Sequence, residues 1–179
     1  MAARILKLIL LGIVAAVAAL LLYAATRPDS FRVERSVVIA AAPEKVYAQI
    51  EDFRKWQAWS PWEKLDPALK RTHGGASAGK GAVYAWEGND KVGSGRMEII
   101  EAVPGVKVGI RLDFLKPFEA HNTAEFTLQA RGDGTRVTWA MFGPNPFLAK
   151  LMQVFMSMDA MVGHDFETGL ANLKSVVEK

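Results

Sequence analysis

The sequence predicts an α+β fold, in which a curved antiparallel sheet wraps around a long C-terminal helix and one N-terminal transmembrane helix precedes both. Three observations predict this architecture. An uncharged apolar run lies near the N-terminus, the middle of the chain alternates apolar and polar residues in short segments, and its last part carries an apolar stripe at helical spacing. A one-sided sheet and an amphipathic helix bury their apolar surfaces most simply against each other.

The composition indicates one globular domain with an added segment. The chain has 179 residues, of which 50% are apolar and 23% charged, a balance that favours a packed core over disorder. The formal charge of +3 is spread over both signs, so no basic tract indicates nucleic-acid binding. The absence of cysteine excludes disulfides, thiolate metal sites and cysteine nucleophiles.

The N-terminal run from Leu8 to Ala25 predicts a single-pass membrane anchor. About twenty apolar residues span a bilayer, whereas the core helix of a small domain would show a polar face. A cleaved signal peptide is the alternative. Its apolar region is usually shorter, and the A-x-A pattern from Ala16 to Ala18 lies inside the run rather than after it.

We therefore divide the chain into an anchor (1–26), a linker (27–30) and a folded domain (31–179). Arg4 and Lys7 form a short basic leader before the apolar run, although arginines also follow the run. Basic residues favour the cytoplasmic side of a membrane, so the leader predicts that the domain lies on the extracytoplasmic side.

The folded domain begins with a strand and two short helical segments. Phe31 to Ala40 alternates like a strand, and Ala42-Pro43-Glu44 opens a short helix. Asp52 caps a second helical turn that Pro61 ends. Three tryptophans at a spacing of three residues share one side of that turn: Trp56, Trp59 and Trp62.

After Leu69 the chain changes to short alternating segments separated by turn residues, which predicts a meander of some six antiparallel strands. One face of each strand is apolar and the other is polar. The apolar face includes Tyr84, Trp86, Met97, Ile99, Val108, Ile110, Leu112, Phe114, Ala124, Phe126, Leu128, Val137, Trp139 and Met141.

The stretch from Pro146 to Glu178 predicts a long amphipathic helix with Asn145 as its N-cap. Ser157 predicts a cap for a second segment if the helix breaks there. Asp159 places a carboxylate in the middle of the apolar stripe, and Gly169 on the same face allows another backbone to come close.

Five segments carry a family resemblance. They read RSVVIAAAPEKVY, DFRKWQAWSPW, YAWEGNDKVGSGRMEI, GTRVTWAMFG and MDAMVGHDFETGLANLK, and together they cover most of Phe31 to Lys179. In order and spacing they resemble the START-like (SRPBCC) superfamily, in particular its polyketide cyclase/dehydrase and lipid-transport branch. The resemblance implies a helix-grip fold with a deep hydrophobic cavity between the sheet and the long helix. It implies no single reaction, because members include lipid carriers, hormone receptors and aromatic cyclases.

The candidate ligand-binding residues are those expected to line that cavity. They are Trp59, Trp62, Tyr84, Trp86, Met97, Leu112, Phe114, Phe126, Trp139, Met141, Phe155, Asp159 and Val162. Each has a purely structural alternative, because the wall of the cavity and the core are the same surface in this fold. Asp159 either meets a polar group of a ligand or pairs with Arg35 or a strand hydroxyl, since a buried carboxylate needs a partner. A helix break would instead expose Asp159.

No pattern in the sequence indicates a metal, a cofactor or a catalytic group. The three histidines, His73, His121 and His164, lack metal-ligand spacing, and we expect His121 to be solvated. The glycine-rich stretch 74–81 fails the phosphate-loop order, because Gly81 follows its lysine. The polar candidates Asp159, Arg35 and Tyr84 form no recognisable catalytic set.

The leading hypothesis is membrane-tethered binding or transport of a hydrophobic small molecule, lipid-like or aromatic, between the sheet and the C-terminal helix. A tether suits such a ligand, because lipid-like molecules already reside in the bilayer. The expected partners are this molecule and the membrane, with no nucleic acid; the sequence identifies no protein partner. The alternatives are an enzyme of the polyketide cyclase or hydrolase kind, and a non-catalytic interaction module with a filled core.

Overall fold

The computed structural model describes residues 2–179, and these form four α-helices, two 3₁₀ helices and seven strands. The bounds are α1 Ala2–Ala25, β1 Ser30–Ile39, α2 Pro43–Ile50, the 3₁₀ helices Phe53–Ala58 and Pro61–Lys64, β2 Lys70–Gly75, β3 Ala82–Glu87, β4 Ser94–Val103, β5 Lys107–Lys116, β6 Ala120–Arg131, β7 Gly134–Pro144, α3 Phe147–Gln153 and α4 Met158–Val177.

The seven strands form one antiparallel sheet in the order β1-β7-β6-β5-β4-β3-β2. Strands β2 to β7 follow one another as a meander, and β1 closes the order by pairing with β7. Because successive side chains alternate across a strand, one face of the sheet collects the apolar residues. We call this apolar side the inner face. The predicted α+β fold and six-stranded meander are confirmed.

Antiparallel register brings several chain positions to one end of the sheet. Ser30, which begins β1, lies opposite Pro144, which ends β7. Ala120, which begins β6, lies opposite Phe114 near the end of β5. We call this the anchored end, because the short segment after α1 enters the sheet there, at the start of β1. The β5–β6 turn and the connection from β7 to α3 therefore lie at the same end as the N-terminal helix.

Helix α4 packs across the inner face, as the helix-grip prediction expects. Phe166, Leu170 and Leu173 are buried in the common core. Lys174 Nζ donates to the carbonyl of Val38 at 2.9 Å, which fastens the last turns of the helix to edge strand β1. Helix α4 is thus held both by apolar packing and by polar bonds to the edge of the sheet.

The C-terminal stretch is divided into two helices rather than one. The break predicted near Ser157 is confirmed, because the Ser157 hydroxyl accepts a hydrogen bond from the Ala160 amide at 3.1 Å and caps α4. The prediction that Asn145 is the N-cap of the first helix is wrong, since Pro146 occupies that position. Asn145 instead donates its side-chain amide to the carbonyl of Pro28.

The N-terminal helix α1 has 24 residues and is uncharged and apolar from Leu8 to Ala25. At 1.5 Å per residue it is about 36 Å long, enough to cross a bilayer. A helix of this kind near the N-terminus is either a membrane anchor or a signal sequence. Its last turn contacts α3, and Ala24 is fully buried there.

Candidate functional site

The structure brings eleven of the thirteen predicted ligand-binding residues together in the interior between the sheet and α4. Seven belong to the buried core cluster and four are half-buried against it. The buried ones are Trp59, Tyr84, Met97, Leu112, Phe126, Trp139 and Met141, and the half-buried ones are Trp62, Trp86, Phe114 and Val162. Whether they bind a ligand stays a prediction.

Trp139 on β7 is the centre of this interior. Its ring stacks on Phe166 of α4 with centroids 4.4 Å apart and planes 3° apart, and on Phe126 of β6 at 4.8 Å. The rings of Trp59 and Trp62 meet it edge-on, each at a centroid distance of 5.6 Å. Such distances are those of favourable aromatic pairs, so the cluster stabilises the contact between sheet and helix.

The close packing of these rings fills the centre of the interior with the protein's own side chains. Trp59 and Phe126 are fully buried. Two open cavities, of about 400 and 440 Å³, lie elsewhere, at the anchored end and lined from the outer face and edge of the sheet. The deep cavity implied by the family resemblance is therefore occupied by aromatic side chains at its centre.

The indole nitrogen of Trp139 is the polar atom at this centre. Trp139 Nε1 is buried and has no hydrogen-bond partner among residues 2–179. The neighbouring tryptophans differ, since Trp56 Nε1 donates to the carbonyl of Ile50 at 2.9 Å and Trp59 Nε1 donates to that of Gln49 at 3.2 Å. A buried donor without an acceptor costs about 1–3 kcal/mol and is rare in native proteins.

Glycine at position 169 allows α4 to approach the Trp139 ring. A Cβ added to Gly169 would lie 2.7 Å from Trp139 Cζ3 and 3.2 Å from Pro61 Cδ. The sequence predicted a close approach at this residue, and the approaching groups are a tryptophan ring and a proline ring rather than a backbone.

A half-buried apolar rim surrounds the interior towards the anchored end. Phe31 of β1 and Phe114 of β5 pack against the core without being enclosed, and Trp86 meets the Phe114 ring edge-on at 5.8 Å. Met158 and Val162 of α4 are likewise only half-buried. The rim therefore includes the first turns of α4 as well as the ends of β1 and β5.

Asp159 does not lie in the apolar interior that the stripe predicted. Its side chain is 58% exposed, because α4 begins one residue earlier and the first turn lies at the edge of the sheet. The Arg35 guanidinium binds both of its carboxylate oxygens, at 2.7 and 3.0 Å. This hydrogen bonding lowers the pKa of Asp159. Pairing with Arg35 is one of the two interpretations the sequence left open, and a role in ligand binding stays a prediction.

Phe155 also lies outside the interior. It falls in the turn between α3 and α4 and is 77% exposed. The sequence predicted Phe155 to face the interior because it assumed one continuous helix from Pro146 to Glu178. The structure has two helices, and Phe155 lies between them. The turn at 154–157 changes the direction of its side chain.

A buried polar group beside the interior was not predicted from the sequence. Tyr84 Oη donates to Glu63 Oε1 at 2.6 Å, and the other Glu63 oxygen pairs with Arg71 Nε at 2.5 Å. Burial raises the pKa of Tyr84 most, and the hydrogen bond to Glu63 raises it further. Glu63 lies in a 3₁₀ helix eight residues before Arg71 and 21 before Tyr84, so no local spacing connects the three.

The outer cavity near His121 is polar. His121 is exposed, as expected, and its Nδ1 lies 2.7 Å from an Asp113 carboxylate oxygen. The hydrogen bond with Asp113 raises the pKa of His121. Arg111 also lines this cavity. The outer face of the sheet therefore carries charged side chains here, whereas the inner face carries aromatic ones.

Comparison with known proteins identifies the family. Residues 30–178 match the family model described as polyketide cyclase/dehydrase and lipid transport. No functionally curated protein sequence matches the chain.

Solved structures share the fold at low sequence identity. A protein from Chromobacterium violaceum is 17% identical with a TM-score of 0.58 and covers 86% of this chain and 99% of its own. A protein from Thermobifida fusca is 19% identical with a TM-score of 0.60, covering 82% and 92%. The di-domain ARO/CYC StfQ of the steffimycin biosynthetic pathway is 13% identical with a TM-score of 0.61, covering 83% of this chain and 51% of its own.

The match extends from the first residue of β1 to the residue after α4 and leaves out α1. The helix-grip arrangement of sheet and helix agrees with it. The chain therefore belongs to the polyketide cyclase/dehydrase and lipid transport family of the START-like (SRPBCC) superfamily.

Proposed function

We propose that the protein binds a hydrophobic small molecule, lipid-like or aromatic, in the interior between the sheet and α4 while α1 tethers it to a membrane. The family supports a hydrophobic ligand. The interior is lined by aromatic and aliphatic side chains, for which apolar ligand surface is the complementary partner. Each Å² of apolar area removed from water contributes roughly 25 cal/mol to binding.

The observation that carries the proposal is the unpartnered indole N–H of Trp139. It lies inside an apolar cluster in which the neighbouring Trp56 and Trp59 nitrogens are satisfied. An oxygen of a ligand placed against Trp139 Nε1 would supply the missing acceptor. The remainder of the ligand would then lie among Trp62, Phe114 and the other half-buried side chains of the rim.

Entry of a ligand requires the rim to move, because the centre of the interior is already packed. We expect the first turn of α4 to move, because its contacts with the interior are the least extensive of that helix. Met158 and Val162 cover the interior only partly, and the turn before them is exposed. Methionine adapts its shape readily, which suits a surface that closes over either a ligand or its own core.

The tether is proposed on the properties of α1. The helix is long and apolar enough to span a bilayer, and its end is fixed to the domain by contact with α3. A segment that packs on the domain is better explained as a retained anchor than as a removed signal sequence. The division into anchor (1–26), linker (27–30) and START-like domain (31–179) follows. The basic leader of Arg4 and Lys7 supports an extracytoplasmic position of the domain, although arginines also follow the apolar run.

A second candidate is a non-catalytic interaction module with a filled core. The close ring packing around Trp139 favours it, because a filled interior needs no guest. The two candidates differ in one measurable property, which is occupancy of the interior by a small molecule.

A binding experiment with matched tryptophan variants tests the proposal. The probe is a dibrominated fatty acid, whose bromine atoms quench tryptophan fluorescence on contact, titrated into the full chain in detergent. We expect saturable quenching at one probe per protein. Trp139→Phe should weaken binding roughly two- to tenfold, the value of one hydrogen bond. Trp56→Phe, which removes an indole N–H already satisfied by Ile50, should leave the affinity unchanged. No saturable quenching, or equal affinity in all three proteins, would contradict the proposal.

A further inference from the structure

We infer that the segment from Phe147 to Met161 lies in the surface of the bilayer that α1 crosses. The inference rests on the proposed membrane tether and adds a second, peripheral contact with lipid. Six large apolar side chains of this segment are exposed, with exposed fractions from 48% to 77%. We call them the apolar patch: Phe147, Leu148, Met152, Phe155, Met156 and Met161.

The apolar patch occupies one side of α3 and the turn that follows. Leu148 and Met152 lie on the side of α3 that faces away from the buried Lys150, and Phe147 is exposed at the first turn of the helix. The helix contains no acidic residue in its sequence FLAKLMQ. Because Lys150 is buried and paired with Asp29, the apolar outer side of α3 alone would contact the lipid, with no acidic residue of the helix opposing that contact. Exposed apolar surface of this extent marks an interaction site rather than ordinary surface.

Polar bonds connect α3 and the residue before it to Asp29, which lies just after α1, and so fix the position of α3 relative to the end of α1. Asn145 donates its backbone amide to the carbonyl of Asp29 at 2.7 Å. Lys150 Nζ lies 2.5 Å from an Asp29 carboxylate oxygen, and this ion pair lowers the pKa of Asp29. Ala24, in the last turn of α1, is buried against the domain. The apolar patch is therefore held beside the point at which the spanning helix ends, where the surface of the bilayer would lie.

The β5–β6 turn provides a second apolar element at the same end of the sheet. Leu115 near the end of β5 and Phe118 in the turn after it are 57% and 68% exposed. The register that places Phe114 opposite Ala120 puts this turn at the anchored end. The apolar patch and this turn thus belong to the end of the domain from which α1 emerges, which identifies the lipid of the same bilayer as the occupant.

The chain offers a direct test, because it contains no cysteine and single thiol labels can be introduced. Full-length Phe155→Cys, Val106→Cys and Val14→Cys are each labelled with an environment-sensitive fluorophore. They are then reconstituted in phosphatidylcholine vesicles with or without nitroxide-bearing lipid. Val106 is an exposed apolar residue in the turn before β5, at the opposite end of the sheet, and serves as the matched control. Val14 lies in α1 and reports the tether. Met152→Cys replaces Phe155→Cys if the latter does not fold.

We expect the label at Phe155 to shift its emission to shorter wavelength and to be quenched by the nitroxide lipid severalfold more than the label at Val106. Quenching at Val14 without quenching at Phe155 would overturn the inference while leaving the tether intact. Quenching at neither position would overturn both. A blue-shifted label at Phe155 that the nitroxide lipid does not quench would show a protein occupant, such as a second copy of the chain, and would also overturn the inference.

Discussion

The Arg35 guanidinium on β1 binds both carboxylate oxygens of Asp159, a residue 124 positions further along the chain. The same guanidinium donates through Nε to Glu167 at 2.6 Å. One arginine on the edge strand thus holds the first three turns of α4, which include the half-buried rim residues Met158 and Val162. We expect this contact to control how easily the rim opens.

The first prediction concerns the pH range over which this contact persists. Hydrogen bonding to Arg35 lowers the pKa of Asp159 below its ordinary 3.8. The stabilising contribution is therefore fully present above the ordinary value and is lost as the pH falls through the lowered one. A carbon-13 titration of the Asp159 carboxyl should give a midpoint below 3.8 in the wild type and a normal midpoint in Arg35→Ala. A midpoint at or above 3.8 in the wild type would contradict the contact.

The second prediction concerns Gly163, which leaves space for the guanidinium. A Cβ added there would clash with Arg35 Nη2 and lie 3.3 Å from Asp159 Oδ1. Gly→Ala inside a helix normally stabilises by about 1 kcal/mol. In chemical denaturation we expect Gly163→Ala to stabilise the Arg35→Ala variant by this amount and to stabilise the wild type less, because in the wild type the guanidinium must move away from the added methyl group. Equal effects in the two backgrounds would show that the arginine does not occupy this space.

The third prediction concerns the helix–sheet contact at Gly169. A methyl group there would push against the Trp139 ring and Pro61. Overpacking of this kind costs about 1–3 kcal/mol, so Gly169→Ala should lower the free energy of unfolding by that amount despite the gain in helix propensity. The shorter ring in Trp139→Phe should relieve part of the loss. A neutral or stabilising Gly169→Ala would contradict the observed approach of α4.

The fourth prediction concerns Tyr84. Burial and the bond to Glu63 raise its pKa, so the neutral phenol is favoured in the folded state. Its contribution to stability is present below the ordinary pKa of about 10 and is lost as the pH rises through the raised value. Burial also raises the pKa of Tyr47, so ultraviolet titration of the folded protein should show late-ionising tyrosines, with one fewer in Tyr84→Phe. Glu63→Gln should bring the ionisation of Tyr84 to lower pH. An unchanged titration in Tyr84→Phe would contradict this assignment.

The sheet and the helix on its inner face could be predicted from the sequence because they depend on local patterns. Alternation along each strand assigned Phe126 and Trp139 to the inner face, and helical spacing predicted the apolar stripe of the C-terminal helix, on which Phe166 lies. The break at Ser157 was recognisable, since a serine can accept a bond from the amide three residues later, as it does from Ala160.

The polar contacts could not be predicted in the same way. The Glu63–Tyr84 bond joins residues from a 3₁₀ helix and a strand whose proximity depends on the completed fold. The exposure of Asp159 and Phe155 depends on where the helix breaks, because residues in and next to the turn at 154–157 do not continue the buried stripe that begins further along α4. The unsatisfied Trp139 nitrogen is likewise a property of its three-dimensional neighbours.

Mass spectrometry of the protein as purified tests the central claim most directly. The full chain, extracted from membranes in mild detergent, is measured under native conditions and its bound small molecules are extracted and identified. We predict one apolar molecule with an oxygen acceptor per chain, at reduced occupancy in Trp139→Phe and at full occupancy in Trp56→Phe. Chains that are repeatedly empty, in both the wild type and the Trp56→Phe control, would contradict the account.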